Sequence, residues 1–114
     1  MRWRVEFRVR FVAEFAGFES AVKVELAALA RLLEAEGPSL GRPHVDTLNG
    51  SRHANMKELR FRAGGGVWRV AFAFDPARKA IVLVAGDKSG VSEKRFCRTL
   101  IGTADARFDE HLDG

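Results

Sequence analysis

A chain of 114 residues, 46% hydrophobic and 30% charged with a formal net charge of +4, suffices for one domain with a modest core and is too apolar for a disordered segment. Its one cysteine, Cys97, excludes an intrachain disulfide, and its three scattered histidines give no zinc-ligand spacing. No apolar run reaches the length of a membrane span and the N-terminus lacks a signal-peptide core, so a cytoplasmic single domain over 1–114 is expected, without membrane partner, metal or other cofactor.

Trp3, Val5, Phe7 and Val9 alternate with Arg2, Arg4, Glu6, Arg8 and Arg10. Period two with a charged face predicts an edge strand whose charges discourage pairing with other chains. Phe11, Phe15 and Phe18 follow at helical spacing, and Gly17 is expected to end a short first helix. Ser20 is the expected cap of a second helix with its apolar stripe at Val22, Leu26, Leu29 and Leu33, stopped by Gly37 and Pro38. The two helices form a hairpin, and only a sheet is available to bury their stripe.

Ser39 to Ala54 reads as a long polar connection with little periodicity, and ordered loops of that length are often functional. The next strand, Met56 to Arg62, places Leu59 and Phe61 on one face and Glu58, Arg60 and Arg62 on the other. Ala63 to Gly66 is a hairpin turn, not a nucleotide loop, because no helix follows it. Val67 to Phe74 returns with Trp68, Val70, Phe72 and Phe74 toward the core, and with Arg69, Ala71 and Ala73 away from it. Asp75-Pro76 opens a turn, and the uniformly apolar Ile81 to Ala85 predicts a central strand, ended by Gly86-Asp87-Lys88. A last helix is expected over Ser92 to Leu112, interrupted near Gly102. The fold class is therefore α+β: an N-terminal helical hairpin on a small, mostly antiparallel sheet, with a C-terminal helix.

Charge segregates along this plan. Residues 1–40 carry 6 basic and 6 acidic side chains, residues 41–98 carry 12 and 5, and residues 99–114 carry 1 and 4. The strand region therefore holds the positive field that would attract a polyanion. Arginine supplies 14 of the 19 basic residues, and its planar fork matches phosphate oxygens. Parity places Arg60, Arg62 and Arg69 together on the non-core face, where the small Ala71 and Ala73 would leave space. Lys88 arrives at the end of a neighbouring strand, and Arg52, His53 and Lys57 flank the rim.

The segments Glu36-Gly37-Pro38, Leu40 to Leu48, Gly50-Ser51-Arg52-His53, Asn55 to Arg60, Trp68-Arg69-Val70, Phe72 to Pro76, Gly86-Asp87-Lys88, Ala104-Asp105 and Phe108 to Leu112 together resemble the RelE/HigB superfamily of type II toxin–antitoxin toxins, in its phage-derived HigB-like branch. The resemblance runs from about Phe11 onward. It implies a metal-independent mRNA endonuclease acting on ribosome-bound message, in which the RNA 2′-hydroxyl attacks the adjacent phosphate. It also implies neutralisation by a helix-turn-helix antitoxin of the HigA-like kind. Close relatives carry a Phe-Tyr pair where this chain has Phe96-Cys97, and Val91-Ser92-Glu93 looks like a short insertion. Two other functions suit the same fold: a ParE-type toxin that binds DNA gyrase, or an inactive relative acting through its antitoxin on transcription.

On that resemblance the catalytic candidates are Arg69, Lys88, Arg60, Glu58 and His53. Arg69 would clamp the scissile phosphate; its plain alternative is a surface ion pair with Glu58. Glu58 is read as the partner orienting Arg60 and Arg69 ahead of a general base. His53 and His44 are possible proton donors or simply exposed loop histidines. Arg52, Lys57, Arg62, His44 and Arg95 are the candidate RNA contacts. Cys97 reads as a buried helix residue and His111 as a surface one.

Overall fold

The computed structural model describes residues 3–114, so the part of the N-terminal alternation that falls on Arg2 lies outside the described residues. Strand β1 is Arg4–Phe7, followed by helices α1 (Val9–Ala16) and α2 (Ser20–Glu36) and a 3-10 turn at Gly37–Ser39. Strands β2 (Val45–Thr47), β3 (Met56–Ala63), β4 (Gly66–Phe74) and β5 (Lys79–Asp87) come next, and helix α3 (Glu93–Asp113) closes the chain. The sheet order is β1-β5-β4-β3-β2. β1 pairs parallel with β5, and the other pairs are antiparallel.

The edge strand is where its alternation put it, but it is shorter than expected. Arg8 is the N-cap of α1, and Val9 opens that helix, 72% exposed. The Phe11 and Phe15 stripe draws the chain into a helix one residue after the sheet ends. In α2 the apolar stripe is buried as predicted, but the N-cap is Glu19, whose carbonyl accepts from Val22 and Lys23. Ser20 is thus the first helical residue and caps nothing. Gly37 ends α2 for two reasons. Its φ is +57°, and a Cβ there would lie 2.3 Å from the Trp3 ring. The hairpin between β3 and β4 turns through Gly64 and Gly65 at φ +57° and +79°, the doubly left-handed geometry of a two-residue turn that matches sheet twist.

Both faces of the sheet are covered. On one, Phe11, Leu26, Leu29 and Leu33 of the helical hairpin pack on Leu59, Val70, Phe72 and Val82. On the other, Leu100, Ala104 and Phe108 of α3 pack on Met56, Ala71, Ala73, Ile81 and Leu83. The expectation that Ala71 and Ala73 leave open space is therefore overturned: both are fully buried, and their small side chains let α3 approach. The expected break in α3 near Gly102 is also absent. Gly102 faces solvent and costs the helix about 0.5–1 kcal/mol relative to alanine, which packing of its neighbours outweighs. The Ser39 to Ala54 connection contains β2, whose three residues are too short for a visible period. None of the described helices is long and apolar enough to cross a membrane.

Candidate functional site

Strand register assembles the site. Asp46 pairs with Glu58, and Glu58 with Ala71; one row along, Arg60 pairs with Arg69, and Arg69 with Gly86. The Arg60 N–H donates to the His44 carbonyl at 2.9 Å, extending that row toward β2. Paired residues share a face, as do residues two apart along a strand, so Asp46, Glu58, Arg60 and Arg69 all project to the α3 side.

These side chains form an alternating chain of charge. Arg42 lies 2.9 Å from Asp46, Asp46 3.9 Å from Arg60, and Arg60 3.2 Å from Glu58 Oε2. Glu58 Oε1 lies 3.2 Å from Arg69 Nη1, and Arg69 Nη2 lies 3.2 Å from Glu93 Oε1 at the start of α3. The Glu58 and Arg69 side chains are only 4% and 9% exposed. Arg69 is therefore not the exposed residue on an open face that parity alone suggested. The predicted partner is correct, but α3 closes over the pair. Burial works against the Arg69 charge, yet Glu58 and Glu93 outweigh it and hold the guanidinium above its usual range. Burial likewise opposes the Glu93 carboxylate, and Arg69, with help from Cys97 and Lys88, overrides it and keeps that carboxyl low. Such an interior pair is costly to break, because removal of one partner strands the other charge.

Gly86 shapes the rim. A Cβ there would lie 2.9 Å from Phe96 Cε1, so the bare glycine lets Phe96 rest on the strand beside Arg69. Cys97, one residue on, is half-buried instead of fully so, and its thiol donates to Glu93 Oε2 at 3.5 Å. Burial and then the nearby Glu93 push that thiol up, away from the reactive thiolate. Arg60 Nε is buried and, among the described residues, is the only such side-chain atom lacking a hydrogen-bond partner.

The other candidates divide. Lys88 follows β5, half-buried, with its N–H on the Val67 carbonyl at 2.8 Å, and its charge reaches Glu93. Arg62 and Arg95 are exposed, Arg62 two residues beyond Arg60 and Arg95 in the first turn of α3. Lys57 has the opposite parity and lies 3.5 Å from Thr47 Oγ1. His53 and Arg52 are not part of the arginine cluster. They precede Met56, which pairs with Ala73, four residues from Arg69 along β4 and so roughly 13 Å away. His53 Nε2 lies 2.7 Å from Asp109, its ring sits edge-on to Phe108 at 4.9 Å, and Arg52 pairs with Asp109. Both residues tie the loop to α3, beside a cavity of about 360 Å³ also lined by Asn55, Phe74 and Asp75. His111 is likewise held, 2.8 Å from Asp75, and is not a free surface residue. Glu93 and Asp46 also belong to the cluster, and the sequence does little to mark either. The one local signal for Glu93 is an acid directly after a serine cap, where a helix start favours negative charge.

These layers and this order of strands define a RelE-like domain. The structure of an arginine-to-alanine double mutant of Escherichia coli toxin RelE in the free state superimposes with a TM-score of 0.64, over 90% of this chain and 96% of that one, at 16% identity. Residues 13–109 match the family described as phage derived protein Gp49-like, and the chain belongs to that family. Two Mycobacterium tuberculosis (strain ATCC 25618 / H37Rv) proteins, the toxin candidates HigB2 and HigB3, are similar to it. HigB2 is 52% identical over 86 residues, which is 75% of this chain and 42% of that protein. HigB3 is 54% identical over 81 residues, 71% of this chain and 68% of that protein. The chain thus spans less than half of HigB2.

Proposed function

We propose that this protein is the toxin of a type II toxin–antitoxin pair and that it cleaves mRNA without a metal ion, on the ribosome. The observation that carries the reading is the pair of guanidiniums, Arg60 and Arg69, fixed side by side by one buried carboxylate. Preset cations of this kind stabilise charge that develops at phosphorus in the transition state. Membership of the Gp49-like family and the likeness to HigB2 and HigB3 support it.

In this reaction the RNA 2′-oxygen bonds to the adjacent phosphorus, and the bond from phosphorus to the 5′-oxygen breaks. The products are a 2′,3′-cyclic phosphate and a 5′-hydroxyl. Arg69 and Lys88 face the phosphate. Glu58 positions both arginines. His53 is too far from Arg69 to serve as base, so the histidine left beside the row is His44, bonded through its carbonyl to Arg60. A helix-turn-helix antitoxin is the proposed partner. In the test, the chain is induced with and without such a partner and mRNA 5′ ends are mapped, and the purified protein is assayed on RNA in excess EDTA. New 5′ ends and EDTA-resistant cleavage are expected. Growth arrest without new ends would favour the gyrase-binding reading, and inhibition by EDTA would overturn metal independence.

A further inference from the structure

Arg69 presents its two terminal nitrogens to carboxylates of opposite character. Nη1 meets Glu58, a strand residue 4% exposed that also holds Arg60. Nη2 meets Glu93, which is 55% exposed in the first turn of α3. The Glu58 side chain is almost wholly enclosed, whereas more than half of the Glu93 side chain already faces water. The rest of that helix is anchored by Ser51 to Asp105, by His53 to Asp109, by Arg107 to Glu14, and by His111 to Asp75.

We propose that Glu93 is a resident anion in the phosphate seat of this site, and that it swings out to water when a substrate phosphate binds Arg69 Nη2. The inference rests on the reading of the cluster as an RNA-cleaving site. Carboxylate and phosphate oxygens accept from a guanidinium edge in the same way and at the same distances. Rotation of Glu93 would free one nitrogen of Arg69 for a phosphate oxygen, and the Lys88 charge that Glu93 feels would act on that phosphate as well. The Cys97 thiol, 3.5 Å from Glu93 Oε2, is a weak donor that holds the resting position lightly. Glu93 therefore sets substrate affinity: it competes with phosphate for one edge of Arg69, while Glu58 keeps the other edge in place.

The test uses the full chain, with inorganic phosphate as probe, its affinity measured by calorimetric titration in every variant and the Arg69 side-chain N–H resonances followed in those that keep Arg69. Glu93→Ala is expected to bind phosphate at least about tenfold more tightly than the wild type, and Glu93→Gln to do so with the helix start preserved. Glu25→Ala, which removes an equal charge from the exposed side of α2, should leave the affinity unchanged. Arg69→Lys added to Glu93→Ala should abolish the gain. On RNA, Glu93→Ala should lower KM more than it alters kcat. A wild-type phosphate affinity in both Glu93 variants, or a gain that survives Arg69→Lys, overturns the proposal. If RNA is still cut in an Arg69-dependent way in that case, the cleavage reading stands without it. If no variant cuts RNA but the Arg69-dependent gain in phosphate binding is seen, the seat stands and the cleavage reading falls.

Discussion

Arg60 and Arg69 lie directly opposite each other on β3 and β4, and Glu58 bridges them with one oxygen to each at 3.2 Å. Like charges facing each other across a strand pair normally repel. Here one buried carboxylate turns the repulsion into a rigid unit with its cationic edges directed toward α3. The consequences reach stability, chemistry and the response to pH and salt.

Glu58→Gln keeps the shape and removes the charge that holds the two arginines. Breaking a buried pair from one side costs about 3–5 kcal/mol. The melting temperature should fall by more than about 10 °C in thermal unfolding followed by circular dichroism. A melting temperature within about 3 °C of wild type would show that the bridge is not structural.

Arg69→Lys retains a cation for Glu58 but loses the fork. RNA cleavage by the folded variant should drop roughly a hundredfold to a thousandfold. Arg69→Ala is the poorer probe, since it leaves Glu58 buried with Arg60 as its sole partner, and loss of fold would be mistaken for loss of chemistry. Undiminished cleavage by a folded Arg69→Lys variant would remove Arg69 from the phosphate site.

His53→Ala should act on stability and spare the chemistry. Its bond to Asp109 and its contact with Phe108 secure α3, and loss of the hydrogen bond costs about 0.5–1.5 kcal/mol. Cleavage under conditions where the variant is folded should stay within about threefold of wild type, the change expected when no transition-state contact is lost. A loss of a hundredfold or more at full folding would return His53 to the catalytic group.

Acid should loosen the attachment of α3. Arg52, then His53, hold the Asp109 carboxyl below its usual value. At Asp75, burial pushes upward but His111 and backbone N–H donors prevail, so that carboxyl is lowered too. A depressed native pKa contributes stability that is present above the unfolded value, near 3.8 for aspartate, and is lost as pH falls through the native one. The melting temperature should therefore decline as pH drops below about 4, and Asp109→Asn should flatten that slope. An unchanged slope in Asp109→Asn would exclude this clamp as a source of acid lability.

RNA binding should weaken steeply with salt. If Arg62, Lys88, Arg95 and the freed edge of Arg69 each meet a phosphate of single-stranded RNA, the log–log slope should be roughly −2 to −3. A flat response in a filter-binding or anisotropy titration would count against phosphate contacts by this face.

The parity of the strands was readable residue by residue. Leu59 and Val70 face one side and Glu58, Arg60 and Arg69 the other, because side chains alternate along any strand. The α2 stripe and the Gly64-Gly65 turn were readable for the same reason: each is a local pattern with a local cause. Period two names two faces, however, and does not say what covers them. The face read as open and basic is closed by α3, whose Leu100, Ala104 and Phe108 reach across to Ala71 and Ala73 from residues distant in sequence. That closure buries Arg69, brings Glu93 to its second nitrogen, and carries Asp109 to His53 and so away from the arginine pair.

By itself, then, the sequence determined the elements, the faces of the strands and the family resemblance, all of which follow from short-range periodicity and motif. Strand parity also offered Glu58 to Arg69, but only the tertiary structure decided which charges α3 brings to the sheet. An ion pair depends on a few ångströms between residues 24 or 56 positions apart, as for Arg69 with Glu93 and His53 with Asp109, and no local pattern encodes that distance.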